Sequence, residues 1–286
     1  MSQLDFPETS LPERAALKVD GPDARQFLNR LLTADIDRLK EQEAVYTALL
    51  SPQGKILADF FVFFVRTDPP VEELFFLDCA ASQISDVEKR LTLYKLRADV
   101  RVSPVGNLEA SVSLSEPTVG WGLKYRDPRS IGIGWRAFIE KGSKPQVAGY
   151  HAARIGLGLA DTDADLGSGE FFPHEANLDQ LGAISFDKGC YVGQEVVSRM
   201  EHRGMARSRI LPVKLGGAAP AKGSDIRAGG KPVGTLLSSS GSRALALLRL
   251  DRLAEANEPM LTEDVSVEVL KPHWVRYDVP NAKGST

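Results

Sequence analysis

The chain has too little cysteine for a disulfide scaffold and no excess of basic residues. Its 286 residues include two cysteines, Cys79 and Cys190, and two thiols alone do not make a four-cysteine cluster or zinc site. Lys and Arg number 35 against 38 Asp and Glu, a net charge of −3, so neither nucleic acid nor an anionic membrane is an expected partner. Long apolar runs are also missing. The longest, residues 60–65, falls far short of the roughly 20 residues of a membrane helix. The N-terminus carries Asp5, Glu8 and Glu13 before any long apolar stretch, unlike a secretory leader or an acid-poor transit peptide. The expected compartment is the reducing cytoplasm, with both thiols free.

What is present reads as a globular protein, with 43% hydrophobic and 26% charged residues. At roughly 150 residues per domain the length suggests two. The first half alternates strand and helix signals. A strand candidate at 14–19 leads into Asp20-Gly21-Pro22-Asp23, a helix start. Ala24, Phe27, Leu28, Leu31 and Leu32 then share one helical face. Strand runs at 44–50 and 56–66 flank Ser51-Pro52-Gln53-Gly54, a tight-turn sequence. Further strands are expected at 74–78, 99–103 and 110–114, and helices after Ser82 and around 146–155. The stretches 120–135 and 156–169 are rich in glycine and read as loops. After about residue 207 short strand candidates at 209–215, 231–237, 243–250 and 265–270 follow one another without a full-length helix, the pattern of a small barrel or sandwich. The boundary is placed at Ala206, giving regions 1–206 and 207–280.

Several motifs fail on inspection. Asp161, Asp163 and Asp165 resemble the start of a calcium loop, but Leu166 and Phe172 stand where glycine and glutamate are required, so a solvated acidic loop is expected. No dinucleotide fingerprint, Walker loop or nucleophile elbow is present. The unusual segment is Lys188-Gly189-Cys190-Tyr191-Val192-Gly193-Gln194-Glu195. Two glycines bracket the cysteine, which suits a sharp turn or close approach. A helical face of Val196, Val197 and Met200 follows. A helix N-terminus ahead and Lys188 two residues away both favour thiolate; a small cysteine packed under a turn is an equal alternative on local chemistry.

This segment resembles the signature of the YgfZ-type folate-binding proteins, relatives of the glycine-cleavage T protein (GcvT) that act in iron–sulfur cluster assembly. Phe172-Pro173-His174-Glu175-Ala176-Asn177-Leu178 and Gly182-Ala183-Ile184-Ser185-Phe186 resemble the family's lead-in, and Arg199 with Arg203-Gly204 its exit. Upstream, Phe27-Leu28 through Leu32-Thr33-Ala34-Asp35-Ile36 is similar to an early helix of that family. Asp127-Pro128-Arg129 with Gly134-Trp135-Arg136 fits in particular the branch that includes the mitochondrial members. Gly230-Lys231-Pro232-Val233-Gly234-Thr235 resembles a strand of the C-terminal barrel.

The resemblance implies an α+β fold: a GcvT-like folate-binding region of two interwoven α/β subdomains, then a small C-terminal β-barrel. It implies tetrahydrofolate as ligand and a role in maturing or repairing iron–sulfur enzymes, with assembly proteins or client enzymes as partners. Cys190 is the implied functional thiol. Asp59 lies at about the position of the carboxylate that assists one-carbon transfer in the GcvT enzymes, so a folate-dependent aminomethyl or one-carbon transferase is the alternative. The implied ligand-binding residues are Lys188, Gly189, Tyr191, Gly193, Gln194, Glu195, Arg199, Arg129 and Arg136, with Arg129, Arg136, Arg199 and Lys188 as candidate cations for the glutamate tail; no resident metal is implied. Gly156 stands where the transferases place a pterin-binding glutamate. Amid Phe60, Phe61 and Phe63, Asp59 is either a carboxylate with a raised pKa or, equally, an ordinary strand-end charge.

Overall fold

The computed structural model describes residues 6–65, 73–118, 123–203 and 206–284. Asp5, Arg66, Gly120 and Gly204 of the sequence reading lie outside them. Two seven-stranded sheets organise the chain. The first holds β1 (Thr9–Asp20), β2 (Ala44–Leu50), β3 (Ile56–Val65), β4 (Leu74–Ala80), β5 (Arg101–Ser113), β6 (Lys124–Arg126) and β7 (Trp135–Glu140). Their order is β2-β3-β4-β1-β5-β7-β6, with antiparallel pairing throughout.

Both faces of this sheet are covered, which explains why β2 and β3 are apolar at successive positions rather than alternating. On one face lie α1 (Ala24–Leu31) and α2 (Ile84–Tyr94). Phe27, Leu28 and Leu31 of α1 and Val87 and Leu91 of α2 pack on Leu17, Val45, Phe60, Val62, Phe75 and Leu77. The opposite face buries Tyr46, Phe61, Phe63, Phe76 and Phe138 under Tyr150, Phe171, Leu178, Leu181, Tyr191 and Val197. Those covering residues come from α3 (Tyr150–Gly156), the segment 171–191 and α4 (Gln194–Arg203). Side chains two apart in a strand share a face. Asp59 with Phe61, Asp78 with Phe76, and Arg136 with Phe138 therefore all point away from α1 and α2, into this second layer.

The second sheet holds β8 (Ser208–Leu215), β9 (Asp225–Ala228), β10 (Lys231–Ser240), β11 (Arg243–Arg249), β12 (Met260–Thr262) and β13 (Val265–Lys271), with α5 (Leu250–Ala254) between β11 and β12 and a short β14 (Lys283–Gly284) at its edge. The additional pairing of β12 with β13 closes six strands into a barrel. Leu211, Val213, Ile226, Val233, Leu236, Leu248 and Val269 fill its interior. Ile210, Leu237 and Leu245 instead join the second layer of the first sheet, and α3 bridges the two sheets by packing on β10 and β11. No described helix is long and apolar enough to cross a membrane.

Three local expectations are corrected. The strands expected at 99–103 and 110–114 are one strand, β5, whose Pro104 and Gly106 weaken the pattern in the middle. The 156–169 loop contains a helical turn, Thr162–Leu166. Its acids are not a solvated cluster, because Asp161 and Asp165 are buried.

Candidate functional site

The second layer encloses a cluster of charges that strand periodicity brings together. Arg14 Nε lies 2.7 Å from Asp78 Oδ1. Arg136 Nη2 lies 2.7 Å from Asp78 Oδ2, which also accepts from the Tyr125 hydroxyl at 2.9 Å. Arg129 grips Asp127 with Nη2 to Oδ2 at 2.8 Å and Nε to Oδ1 at 3.0 Å. The Tyr150 hydroxyl accepts from Arg129 at 3.1 Å and Arg136 at 3.0 Å. Arg154 Nη1 meets Asp165 Oδ2 at 2.7 Å. All of these side chains are buried, so each charge depends on its partner.

Four arginines, Arg14, Arg129, Arg136 and Arg154, face five aspartates, Asp59, Asp78, Asp127, Asp161 and Asp165. The odd carboxylate is Asp59. Burial pushes its pKa up, and although Arg14 pulls the other way it stands at about 6. Burial also works against charge at Asp161, yet Arg14, Arg154 and Arg129 hold it down to about 2. Asp78 is likewise held low by Arg136 and Arg14 against its burial. Asp59 Oδ2 accepts from the Tyr46 hydroxyl at 2.7 Å, while Oδ1 is buried without a hydrogen-bond partner among the described residues. Tyr46 forms the floor of a cleft of about 370 Å³, lined also by Arg38, Glu43, Arg126, Pro128 and Leu181. Arg38 and Arg126 are exposed.

The cysteine segment lies elsewhere, against the end of α1. Cys190 is exposed, and Cys79 is buried in β4. Residues 183–188 run along residues 29–34: the Thr33 hydroxyl donates to Ala183 O at 2.7 Å, and Ser185 N donates to Thr33 O at 2.9 Å. Lys188 Nζ donates to Asn29 O and Ala34 O, both at 2.7 Å, and to Leu32 O. Burial brings its pKa down to about 8, with Asp35 opposing. Lys188, expected to favour the thiolate from two residues away, has its N–H donors engaged by carbonyl oxygens. The helix expected after the segment is α4, which begins at Gln194, four residues beyond Cys190.

The two glycines differ. Gly193 has φ +82°, and a Cβ there would stand 2.7 Å from Ser51 O in the β2–β3 turn; only glycine fits. A Cβ on Gly189 would meet nothing within 4 Å, so close approach applies to Gly193 alone. Tyr191 is buried, with its ring 4.9 Å from Lys188 Nζ, and Gln194 Oε1 accepts from Tyr191 N at 3.3 Å. Glu195 and Arg199 are exposed on α4.

The structure thus brings Asp59, Arg129 and Arg136 into one interior cluster and leaves Cys190, Lys188, Gly189, Glu195 and Arg199 at a separate surface. Arg129 and Arg136, expected to meet a ligand's carboxylates, are already neutralised by Asp127 and Asp78. Arg38 and Arg126 supply exposed cations beside the Tyr46 cleft; no motif marked them. Arg14 and Asp78 were also missed, although a charge in phase with the apolar residues of a buried strand is a legible sign.

A third grouping, His174, Asp179 and Glu201, places ligand atoms within 4.8 Å of one another. Asp179 Oδ1 already holds Arg209 at 2.6 Å and Oδ2 accepts from Gln180 at 2.7 Å. With a buried guanidinium beside it, the trio is better suited to bracing α4, through His174 Nε2 and Glu201 at 3.2 Å, than to holding a dication.

Comparison with known proteins agrees with this architecture. The profile of the GCVT N-terminal domain matches residues 13–115, and that of the CAF17 C-terminal β-barrel domain matches residues 207–277. The crystal structure of the glycine cleavage system aminomethyltransferase T from Bartonella henselae matches with a TM-score of 0.72, over 97% of this chain and 88% of that one, at 14% identity; this is a likeness of fold. Iron–sulfur cluster assembly factor IBA57, mitochondrial, of Mus musculus is 30% identical across 92% of this chain and 84% of its own length.

The chain belongs to the IBA57 family.

The human IBA57 is 30% identical over 85% of this chain and 77% of its own. The IBA57 homolog of Pyricularia oryzae is 31% identical over 88% and 74%. The resemblance to YgfZ-type proteins therefore holds for the wider GcvT-related group, within which these three relatives are IBA57 proteins. The IBA57-family chain has the α+β fold of that group: a GcvT-like mixed region followed by a closed six-stranded barrel.

Proposed function

We propose that this chain is an accessory factor for the maturation or repair of iron–sulfur enzymes, acting through the Cys190 thiol, and that it holds tetrahydrofolate in the cleft above Tyr46. The observation that carries the first part is an exposed thiol on a loop pinned at both sides, by Lys188 and by Gly193, in a chain whose relatives are named assembly factors. A cluster takes about four protein ligands. Cys190 supplies one, and the others come from a partner, an assembly protein or a client enzyme. The cluster is cargo in this reading, and the thiolate is the form that binds it.

The residues around Tyr46 fit a folate. Bound tetrahydrofolate supplies ring nitrogens that carry one-carbon units. Asp59 Oδ1 is an orphan acceptor buried behind Tyr46, outside the lining of the cleft, and would take an N–H of the pterin edge only where the Tyr46 ring moves aside. Arg38 and Arg126 on the rim would meet the carboxylates of the glutamate tail, in place of Arg129 and Arg136.

Two experiments test these halves separately. In cells lacking this chain, wild type should restore iron–sulfur enzyme activity and Cys190→Ala should not; full restoration by Cys190→Ala refutes the thiol role. Anaerobic calorimetry of tetrahydrofolate should give saturable binding, weakened roughly tenfold by Arg38→Glu or Arg126→Glu. A flat titration with wild type removes the folate half and leaves the thiol half standing.

The raised pKa of Asp59 favours a second reading, a folate-dependent aminomethyl transferase with Asp59 at the reacting nitrogen. It predicts methylene-tetrahydrofolate from tetrahydrofolate and an aminomethyl donor. Absence of product with a folate-binding protein eliminates it.

A further inference from the structure

We infer that Lys188 is a positioning residue, an ammonium clip that locks the cysteine loop onto the C-terminal end of α1 and so fixes where the Cys190 thiol stands. The inference rests on the reading of Cys190 as the working thiol. It starts from a geometry. An α-helix leaves its last four carbonyls without intrahelical donors and carries partial negative charge at that end. The end of α1 (Ala24–Leu31) and the turn after it present Asn29 O, Leu32 O and Ala34 O to a single point, and Lys188 Nζ occupies that point.

An ammonium has three N–H donors, matching the three backbone carbonyls, with Asn29 Oδ1 a more distant acceptor at 3.5 Å. Its charge also suits the helix end, and the Tyr191 ring lies 4.9 Å away on another side. Two residues beyond the clip, Cys190 shares a shallow surface cleft with Gln26, Asn29 and Arg30. Asn29 is common to both: its carbonyl holds the lysine, and the residue lines the thiol's cleft. The thiol is thus indexed to the last turn of α1 by the residue two positions before it. Among the described residues, Ser185 N to Thr33 O is the last backbone bond from this loop to the 29–34 segment, so beyond it the clip is what ties the loop there. A Cβ on Gly189 would meet nothing within 4 Å, so the backbone there has room to turn and lets the thiol swing once the clip is lost.

Arginine does not replace lysine here. A guanidinium spreads its donors over a planar fork, whereas the three carbonyls converge on one atom. If the role were charge alone, arginine would serve.

The test uses the thiol itself as a reporter. Cys79 is 1% exposed, so a nitroxide reagent labels Cys190 in the native wild-type chain. Its paramagnetic resonance spectrum should show restricted motion. In Lys188→Met and in Lys188→Arg the same spectrum should be dominated by a fast, narrow component, with cooperative unfolding retained. Iron–sulfur enzyme activity in cells lacking this chain should fall roughly tenfold or more with either unlabelled variant. Unchanged spectra in both variants, or restoration of spectrum and activity by Lys188→Arg, would overturn the inference. Narrowed spectra with full cellular activity would overturn it as well, provided Cys190→Ala is inactive alongside. If Cys190→Ala is fully active, the functional reading fails instead, and the spectra alone decide whether Lys188 holds the loop. Should Lys188→Met fail to fold, Lys188→Arg carries the same comparison.

Discussion

Replacing Asp59 by asparagine should stabilise the protein at neutral and alkaline pH and leave it unchanged in acid. Asp59 is 3% exposed, and its pKa rises from 3.8 to about 6 on folding. A rise of this size corresponds to about 3 kcal/mol. The sign follows from linkage. A carboxyl with a raised folded pKa favours the folded state below the unfolded value, near pH 3.8, and that contribution is lost as pH climbs through 6. Asparagine resembles the neutral acid and keeps the acceptor for the Tyr46 hydroxyl. Asp59→Asn should therefore exceed wild type by up to about 3 kcal/mol at about pH 8 and match it near pH 4. Urea unfolding at both pH values, followed by tryptophan fluorescence, measures the difference. A gap that does not change between the acid and alkaline measurements, or that favours wild type more in alkali, would refute the assignment of Asp59 as the odd carboxylate of the cluster. Activity is a separate readout, because the same substitution removes the carboxylate that the folate reading requires.

Other expectations follow from the same geometry. A thiol reagent should titrate one cysteine in the native chain and both after denaturation, since Cys190 is exposed while burial holds the Cys79 thiol protonated. Gly193→Ala should cost roughly 2 kcal/mol or more, from its positive φ and the contact with Ser51 O; Gly189→Ala should stay within about 0.5 kcal/mol, as comparative urea melts would show. Arg136→Met should lower stability by about 3–5 kcal/mol, because it deprives buried Asp78 of a partner at 2.7 Å; urea melts showing no loss would indicate that Arg14 alone suffices.

Much of this architecture was legible where periodicity or turn chemistry is strong. The face of Ala24, Phe27, Leu28 and Leu31 marks α1, the Ser51 to Gly54 turn marks the β2–β3 hairpin, and β8, β10, β11 and β13 all appear as apolar runs. β9 and β12, of four and three residues, are too short to show a period. Other features depend on partners far away in the chain. Arg136 was identifiable, but its counter-charge Asp78 lies 58 positions upstream. The acids of 161–165 look solvated because Arg14 lies in β1, far upstream, and nothing in the sequence marks Arg154, 11 positions before Asp165, as buried. The contacts of Lys188 are hidden for a deeper reason: its partners are backbone carbonyls, which every residue possesses and no sequence distinguishes.

The stitching of residues 183–188 onto residues 29–34 has a consequence for how the protein comes into being. The bonds from Lys188 to that segment span 154 to 159 positions. During synthesis residues 29–34 emerge well before Lys188, and until it follows their carbonyls lack its ammonium. A shortened or half-assembled chain can contain Cys190 and still have no fixed place for it. The thiol is aimed only in a molecule whose two distant segments have met, so completion of the fold and readiness for work arrive together.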